Sequence, residues 1–439
     1  MKLSGWGRYP LINTKLKSPT SVKELVEAIS KDNAIARGNG RSYGDSAISK
    51  HNTICMKNFN RMLKFDNKIG LIVVESGVLL SEIIETFLPR GWFPKITPGS
   101  KFVTIGGMAA CDVHGKNHHK DGSFGNYIEW IDIITSDGEI KRCSRKINTE
   151  LFNWTIGGMG LTGVILHVAF YLRTVDTAWI KQKTIPVKNI DHAIEIFEKT
   201  LNSTYSVAWI DCLSKRDKIG RSLVMLGEHA NVSDLNYNMK SNPLLIKNKK
   251  KIRIPFNFPS FILNSFNLKI FNSIYYLFNK KKEDYKLIDY DAYFYPLDGL
   301  LDWNKIYGRS GFAQFQCVIP LENASAGLHE LSEAVSHSKS NSFLTVLKRF
   351  GKQDSYLSFP MEGYTLTLDF PITKKNIELM TQLDEITLKY KGRFYLAKDS
   401  RMSEETLKRS DARFEKYKKF RSLKMKKSFS SAQSERLGL

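Results

Sequence analysis

Three glycines and two arginines lie close together in the stretch ARGNGRSYGD, residues 36–45, which follows the apolar run NAIA. Glycine tolerates a positive φ and lets another group approach the backbone, so such a loop is suited to hold a phosphate. The spacing G-x-G-x-x-x-G is not that of the dinucleotide-binding fingerprint, which needs glycine at Tyr43, or of the P-loop. The loop is therefore either a tight turn or a phosphate-binding loop of another kind.

A second segment, residues 97–126, is dense in glycine, alanine and serine, which lets a flat ligand lie on the backbone. It also contains His114, His118 and His119, and the first two are four residues apart, as in some metal sites. Neither a helical pattern nor a nearby carboxylate pair supports metal binding, so no metal site is predicted. His119 is equally compatible with a surface loop.

The elements that must position these segments change in character along the chain. The first 175 or so residues mix helices, such as SVKELVEAIS, with strands, such as TGVILHVAFYLRTV, without strict βαβ alternation. From about residue 176, the strands show alternating polar and apolar residues, and three helices are interleaved with them. The pattern predicts an α+β fold of two domains, the second with a large antiparallel sheet backed by helices.

Bulk properties narrow the class of partner. The 439 residues include 66 Lys and Arg against 44 Asp and Glu, a formal charge of +22 that favours nucleic acid, phosphorylated substrates or an acidic membrane face. Five scattered cysteines without a C-x-x-C pair fit reduced thiols in a cytoplasmic protein. The N-terminal sequence has no apolar core of the kind found in signal peptides, so no signal peptide is expected.

The segment 245–286 is apolar in its middle and rich in lysine at both ends, but too polar for a spanning helix. On a helix its residues separate into an apolar face (Leu263, Phe266, Ile270, Ile274, Leu277) and a polar face (Ser265, Lys269, Asn272). Basic residues flank it on both sides: Lys249, Lys250, Lys251, Lys280, Lys281 and Lys282. This pattern favours an interfacial helix on anionic lipid over an ordinary buried helix.

Taken together with IGGMGLTGVI (156–165), the two glycine-rich segments resemble the FAD-binding half of the vanillyl-alcohol-oxidase superfamily. More narrowly, the chain resembles the decaprenylphosphoryl-β-D-ribose 2-oxidase family from GWGRY (5–9) to its C-terminus. The most specific shared strings are RGNGRSYGD, HGKNHH, FAQFQCVIP and YLAKDSR.

The resemblance implies a two-domain flavoprotein. Residues 1–175, completed by 393–439, would form a PCMH-type FAD-binding domain, and residues 176–392 the substrate domain. It places Ile165 near the adenine end of FAD and Tyr395 near its ring system. The implied cofactor-binding residues are Arg37, Gly38, Asn39, Gly40, Arg41, Ser42, Tyr43, Gly44, Gly99, Thr104, Ile105, Gly106, Gly107, Cys111, Asp112, His114, Ile165 and Tyr395.

Oxidation of a secondary alcohol with a flavin requires a group that accepts or stabilises the hydroxyl proton and cations that offset negative charge. By resemblance Lys398 is the active-site lysine, acting as a base or as a charged stabiliser, with Tyr43, His114 and Lys116 around the flavin and sugar. Trp209, Gln314, Gln316, Lys348 and Lys398 would bind the substrate. The alternation in FAQFQCV also places both glutamines on one face, as in a polar pocket.

Two departures from the family pattern carry predictions. Covalent members of the superfamily carry histidine where Arg41 stands, so the FAD is expected to be non-covalent. Thr367 replaces the cysteine of the family's corresponding strand, so thiol-directed covalent inhibition is expected to fail.

The predicted function is FAD-dependent oxidation of a hydroxyl on a polyprenyl-phosphate-linked sugar, the first half of an epimerisation that an NAD(P)H-dependent keto-sugar reductase completes. The predicted location is the cytoplasmic side, peripheral to the inner face of the membrane. A soluble aldonolactone or free-sugar oxidase is the alternative. A nucleic-acid-binding protein would leave the glycine and HGKNHH strings without a role, so no nucleic acid partner is expected.

Overall fold

The computed structural model describes the chain except residues 31–32, 215, 247–249, 260–264, 281–284, 339, 341, 343 and 426–427, and the side chains of 30, 216, 265 and 266. Within it, the predicted α+β fold with a large antiparallel sheet is confirmed.

The first 174 residues form three sheets. The first sheet is the pair of strands β1 (Lys2–Leu3) and β2 (Ile12–Asn13). The second is a parallel sheet of β3 (Lys15–Lys17), β4 (Ala34–Arg37) and β5 (Asn52–Cys55), in the order β3-β5-β4. The third, antiparallel sheet comprises β6 (Met62–Asp66), β7 (Leu71–Glu75), β8 (Trp92–Pro94), β9 (Ile128–Ile134), β10 (Ile140–Ser144) and β11 (Val164–Thr174). Its order is β10-β9-β11-β7-β6, with β8 paired to the end of β11.

The helices of this part are α1 (Val22–Ser30), α2 (Leu80–Phe87), α3 (Ile105–Ala110), α4 (His118–Asp121) and α5 (Thr149–Thr155). Leu80, Ile83, Ile84 and Phe87 lie on one face of α2 and are buried, as the i, i+3, i+4, i+7 spacing of the sequence predicts. Strand and helix thus share a core against which the second glycine-rich segment is fixed.

The second part of the chain is organised around an eight-stranded sheet. Its strands are β12 (Trp179–Val187), β13 (Tyr205–Ile210), β14 (Ser222–His229), β16 (Lys286–Asp289), β18 (Phe312–Pro320), β19 (Thr345–Phe350), β20 (Gly363–Pro371) and β21 (Arg393–Phe394). The order β16-β12-β14-β13-β19-β20-β18-β21 is antiparallel throughout. A separate parallel pair is formed by β15 (Ile252–Arg253) and β17 (Leu300–Leu301).

One face of this sheet is covered by the three helices that the sequence predicts. The helices of this region are α6 (Ile190–Lys199), α7 (Tyr237–Lys240), α8 (Ser265–Asn279), α9 (Tyr290–Phe294), α10 (Ala324–Ser338) and α11 (Lys374–Lys389). Apolar side chains of α6, α10 and α11 pack on β13, β18 and β20 in one core. Gln314, Gln316 and Thr367 lie on the opposite face of β18 and β20.

The C-terminal residues return to the first part of the chain, through α12 (Glu404–Ser410), α13 (Arg413–Lys424) and α14 (Ala432–Arg436). Phe429 forms a parallel bridge with Ala34 and is fully buried. Arg436 forms ion pairs with Asp45 at 2.8 Å and with Asp399 at 2.9 Å. These contacts hold the turn that contains Lys398 against the first glycine-rich loop.

Helix α8 is oriented with a polar residue inward. Asn272 is only 3 % exposed and its Nδ2 donates to Asp211 at 2.8 Å, while Leu268 is the buried apolar residue. Asn272, on the predicted polar face, is thus turned toward the protein, where the carboxylate of Asp211 provides a buried partner. Ile270, Ile274 and Leu277 of the predicted apolar face are exposed; Leu263, Lys249, Lys281 and Lys282, and the side chain of Phe266, lie outside the described residues.

Candidate active site

A deep cavity lies between the two glycine-rich segments and the uncovered face of the eight-stranded sheet. Seven glycines line it: Gly38, Gly40, Gly99, Gly106, Gly107, Gly160 and Gly163. The predicted residues Asn39, Arg41, Ser42, Tyr43, Thr104, Cys111, His114, Ile165, Gln314, Gln316, Lys348, Tyr395 and Lys398 line it as well. Residues separated by hundreds of positions therefore converge on one site.

The first loop owes its shape to the end of β4. Arg37, the last residue of that strand, donates from Nη2 to the carbonyl of Ser4 at 2.8 Å. Gly40 then adopts a φ of +64°, which glycine tolerates without steric cost. Asn39 donates from Nδ2 to the carbonyl of Phe102 at 2.8 Å, which joins the loop to the second segment.

The cavity wall contains buried polar groups that suit a polar ligand. Ser76 Oγ, Arg41 Nε and His114 Nδ1 are buried in its wall and have no hydrogen-bond partner within the described residues. Buried polar atoms are normally paired, so these three are suited to a polar ligand. Together with the glycine-lined wall, they fit a large flat cofactor with phosphates, such as FAD.

Lys398 is placed by the edge of the large sheet. Strand β21 pairs with β18, Tyr395 N donates to Gln316 O at 3.1 Å, and the chain then turns so that Lys398 faces the cavity. Its Nζ lies 3.5 Å from the centroid of the Tyr43 ring. Burial lowers the pKa of Lys398, and the positive charge of Lys348 lowers it further.

Other cations surround the same region. Burial lowers the pKa of Lys348 to about 8, and burial together with Lys348 lowers the pKa of Lys116 to about 7. Burial, followed by the charges of Lys348, His118 and Lys398, holds the pKa of His114 well below its usual value. The site therefore favours neutral bases, or an anion that offsets the repulsion between the cations.

Asp369 is a member of the site that the sequence analysis missed. It is fully buried on β20, opposite Gln314 in the strand register. Gln314 Nε2 donates to its Oδ1, and Tyr307 OH donates to its Oδ2 at 3.2 Å. Burial raises the pKa of Asp369, and its charge raises that of Lys398. The only available signal was a lone Asp in GYTLTLDF, which pattern alone does not distinguish from a strand-end residue.

Gln316 connects the sheet to the second glycine-rich segment. Its Nε2 lies 3.3 Å from His114 Nε2 and donates to Thr365 Oγ1 at 3.2 Å. The ring of His114 is packed among Phe350, Phe359 and Tyr395. The predicted polar face of FAQFQCV thus faces the cavity with both glutamines.

Some predicted residues are near the cavity but outside its wall. Lys116 donates to the carbonyl of Tyr293 and lies 4.2 Å from that ring's centroid. Trp209 packs edge-on against Tyr275 of α8, with ring centroids 4.8 Å apart.

Asp112 is buried and accepts hydrogen bonds from Ser123 at 2.6 Å and from Gly125 N at 2.6 Å. Arg37, Gly44 and Ile105 also do not line the cavity.

The remaining histidines of HGKNHH have protein partners. His118 Nε2 lies 3.2 Å from Gln353 Oε1, and His119 Nε2 lies 2.8 Å from the carbonyl of Ser203. In the part of the chain that the structure describes, no three His, Cys, Asp or Glu residues are grouped as metal ligands.

Comparison with known proteins identifies an FAD-binding domain and related oxidases. Residues 10–144 match the FAD binding domain family. The chain is 34% identical over 418 residues to the decaprenylphosphoryl-beta-D-ribose oxidase of Mycolicibacterium smegmatis, covering 92% of this chain and 90% of that protein. It is 29% identical over 377 residues to an uncharacterized protein of Streptomyces coelicolor, covering 82% of this chain and 100% of that protein. Similarity to L-gulonolactone oxidase of Bos taurus is 29% over 196 residues, covering 42% of this chain and 43% of that protein.

The fold and the cavity define an FAD-dependent oxidoreductase that acts on a CH–OH group. Within that class, the chain belongs to the decaprenylphosphoryl-β-D-ribose oxidase family.

Proposed function

We propose that the protein oxidises a secondary hydroxyl of a polyprenyl-phosphate-linked sugar to a ketone. The observation that carries the proposal is the convergence of Lys398 and the two glutamines of β18 on the cavity that the glycine-rich segments line, with Asp369 buried behind Gln314. The similarity to a decaprenylphosphoryl-ribose oxidase over most of both chains supports the substrate class.

Bound FAD supplies the acceptor for the hydride that leaves the carbinol carbon. The hydroxyl proton goes to Lys398 Nζ, which its lowered pKa makes available as a neutral amine. Burial and the charge of Lys348 disfavour the protonated state of Lys398, and the charge of Asp369 favours it. Gln314 and Gln316 present amide groups that orient the sugar hydroxyls.

FAD is held without a covalent bond in this proposal. Arg41 stands where covalent relatives carry histidine, and its guanidinium is no nucleophile for the ring. Acid precipitation should leave the flavin in the supernatant; yellow protein in the pellet would contradict the proposal.

The substrate class is tested by anaerobic bleaching of the flavin absorbance. Purified protein is mixed with a panel of polyprenyl-phosphoryl pentoses and with free sugars and aldonolactones. The expected result is bleaching by a lipid-linked sugar alone. Bleaching by a free lactone instead would identify the alternative, a soluble aldonolactone oxidase, to which the partial similarity to L-gulonolactone oxidase points.

A keto-sugar product requires a second enzyme to complete an epimerisation, since net inversion returns the hydride to the carbon. The proposed partner is an NAD(P)H-dependent keto-sugar reductase. Coupled incubation with such a reductase should convert the substrate to its epimer, and accumulation of the ketone in the coupled reaction would contradict the pairing.

We further propose that α8 and its flanking residues hold the protein on the inner face of an anionic membrane. Nine of the twenty-three exposed large hydrophobic side chains in the described residues lie between 245 and 285, under a tenth of the chain. Lys250, Lys251, Lys269 and Lys280 lie exposed in the same segment. This combination supports interfacial binding; among the described residues, no helix has the length and apolarity to cross a bilayer.

A further inference from the structure

We propose that the chain of the lipid-linked substrate leaves the cavity across β13 and binds along helix α8. The isoprenoid path, as we call it, consists of Val346, Trp209, Tyr275 and Phe271. The identity of the ligand as the chain of a lipid-linked sugar rests on the proposed function. The position of the path follows from strand register and ring contacts.

Trp209 lies one strand beyond the cavity wall. Leu344, Val346 and Lys348 of β19 line the cavity, as alternate residues of a strand share one face. Val346 lies opposite Thr367 of β20 on one side and opposite Trp209 of β13 on the other. Directly opposed residues have their side chains on the same face of a sheet, about 5 Å apart at Cβ. Trp209 therefore lies on the cavity face, next to Val346.

Helix α8 lies on the same face of the sheet, beyond Trp209. The ring of Tyr275 packs edge-on against Trp209, with centroids 4.8 Å apart, and Phe271 stacks on Tyr275 at 6.0 Å. Asn272 donates to Asp211, directly after the end of β13, which fixes the helix at this position. The helix thus extends the cavity wall with aromatic side chains.

One line of paired residues runs from the sugar end of the cavity to α8. Gln316 lies opposite Thr367, Thr367 opposite Val346, and Val346 opposite Trp209. The side chains along this line change from amide and hydroxyl to aliphatic and aromatic. The same change, from hydroxyls to hydrocarbon, runs along a lipid-linked sugar from the reacting ring to the chain.

The far end of the isoprenoid path is open to the surface. Tyr275 is half-buried and Phe271 is 44 % exposed, and the exposed Ile274 and Phe278 follow on the same helix. A hydrocarbon chain gains free energy from each apolar contact that removes it from water, and aromatic rings provide large contact areas. The path therefore connects the cavity with the surface that we propose to lie on the membrane.

A second exposed apolar region is less suited to the chain. Ile252 pairs with Leu300, which packs beside Trp303 in the cavity wall. Arg41 and the rest of the first glycine-rich loop line this side of the cavity, and that loop is assigned to the cofactor. A chain that left toward Ile252 would compete with FAD for the same wall.

Calorimetric titration of the FAD-loaded protein, without vesicles, tests the path by chain length. Dimethylallyl phosphate carries one isoprene unit and farnesyl phosphate carries three, so we expect the wild type to bind farnesyl phosphate more tightly. Phe271→Gln should weaken farnesyl phosphate binding by about tenfold and leave dimethylallyl phosphate binding unchanged. Leu63→Gln, at a position 46 % exposed on β6, is the matched control and should bind both ligands like the wild type.

Photolabelling locates the chain directly. A farnesyl phosphate analogue with a benzophenone at the end of its chain is bound and irradiated, and the labelled peptides are identified by mass spectrometry. We expect attachment to α8 or Trp209, suppressed by excess farnesyl phosphate. Attachment to residues 250–258 instead would overturn the path.

The outcomes separate the isoprenoid path from the substrate assignment. Equal affinity of the wild type for both ligands, or unchanged farnesyl phosphate affinity in Phe271→Gln, would overturn the path even if a lipid-linked sugar bleaches the flavin. Equal weakening of both ligands would also overturn it, since the substitution would then act on the cavity itself. A loss confined to farnesyl phosphate supports the path, even if no lipid-linked sugar of the panel is oxidised.

Discussion

Lys398 is the residue on which the proposed chemistry depends most. Replacing it with methionine keeps the length of the side chain and removes the base, so we expect flavin reduction by substrate to slow by about 10²–10⁴-fold. The measurement is the anaerobic bleaching rate in stopped flow. Flavin content should not change, because no polar contact from the Lys398 side chain is needed to shape the glycine-lined wall.

The matched control for this substitution is Lys416→Met, an exposed lysine on α13. It should reduce at the wild-type rate. A Lys398→Met protein that bleaches as fast as its control would remove Lys398 from the mechanism.

In the proposed mechanism, Asp369 affects the pH range in which Lys398 is a neutral base, because its charge changes the pKa of Lys398. The base must be neutral, so the rate rises with pH as Lys398 loses its proton. The negative charge of Asp369 raises the pKa of Lys398; removing that charge lowers it. In Asp369→Asn the rising limb of the pH–rate profile should therefore move to lower pH.

The amide that Asp369→Asn introduces retains an acceptor for Gln314, so the fold and FAD content should persist. A structural role alone would lower the rate at every pH without moving the limb. An unmoved limb would show that Asp369 does not act through Lys398.

At the scale of single residues, the sequence predicts positions that are tied to strong motifs. Lys398 and Tyr43, which the family resemblance indicated, line the cavity, as do both glutamines, which the strand alternation also indicated. Asp369 was missed because its partner, Gln314, is distant in sequence and adjacent only through strand pairing. Trp209 was expected in the pocket, but it packs on Tyr275, since a tertiary contact with α8 is not encoded in its own strand pattern.

At the scale of elements, helix α8 combines a buried polar side with an exposed apolar side. The buried side contacts Trp209, Asp211 and Arg221. Arg221 pairs with Asp211 at 2.5 Å, and its guanidinium lies 4.6 Å from the ring centroid of Tyr276. The opposite side presents Ile274, 48 % exposed, and Leu277, 54 % exposed. The sequence predicted the apolar face, but not that a buried polar network would hold the helix.

This arrangement allows the apolar face to be changed without undocking the helix. The triple variant Ile270→Ser, Ile274→Ser, Leu277→Ser should bind anionic liposomes at least about tenfold more weakly, because each buried methylene contributes about 0.8 kcal/mol. Co-sedimentation with vesicles that contain phosphatidylserine measures the effect.

Ile69→Ser, Ile140→Ser, Ile147→Ser is the matched control, since these exposed side chains lie in the first part of the chain. It should sediment with vesicles like the wild type. Equal binding by both triple variants would contradict a membrane role for α8.

At the scale of the whole molecule, the cavity joins the sheets of both parts of the chain. A ligand that fills it binds only the folded state and stabilises it, by about 4 kcal/mol at a thousandfold excess over Kd. We therefore expect FAD to raise the thermal midpoint of the apoprotein by several degrees, in one transition.

FMN is the matched control ligand, because it lacks the adenylate half that would lie toward Ile165. It should stabilise less than FAD at equal concentration in differential scanning fluorimetry. Equal shifts would mean that the glycine-lined part of the cavity does not hold the dinucleotide.

The overall architecture was largely predictable, because long strands with strict alternation and amphipathic helices carry their own signals. The return of the C-terminal helices to the first part of the chain came only from the family resemblance. Local patterns do not contain the bridge between Ala34 and Phe429 or the ion pairs of Arg436, which are contacts between distant residues.

Tyr43 N donates to Ala397 O at 3.0 Å. The wall beside Lys398 is therefore formed by two parts of the chain that are separated in sequence by the strands of the large sheets. A ribosome makes the first of these parts long before the second. During synthesis the glycine-rich loops emerge and fold without the turn that completes their wall, and FAD cannot be fully enclosed at that stage. Full enclosure of FAD therefore has to wait until the turn that contains Ala397 and Lys398 has been made.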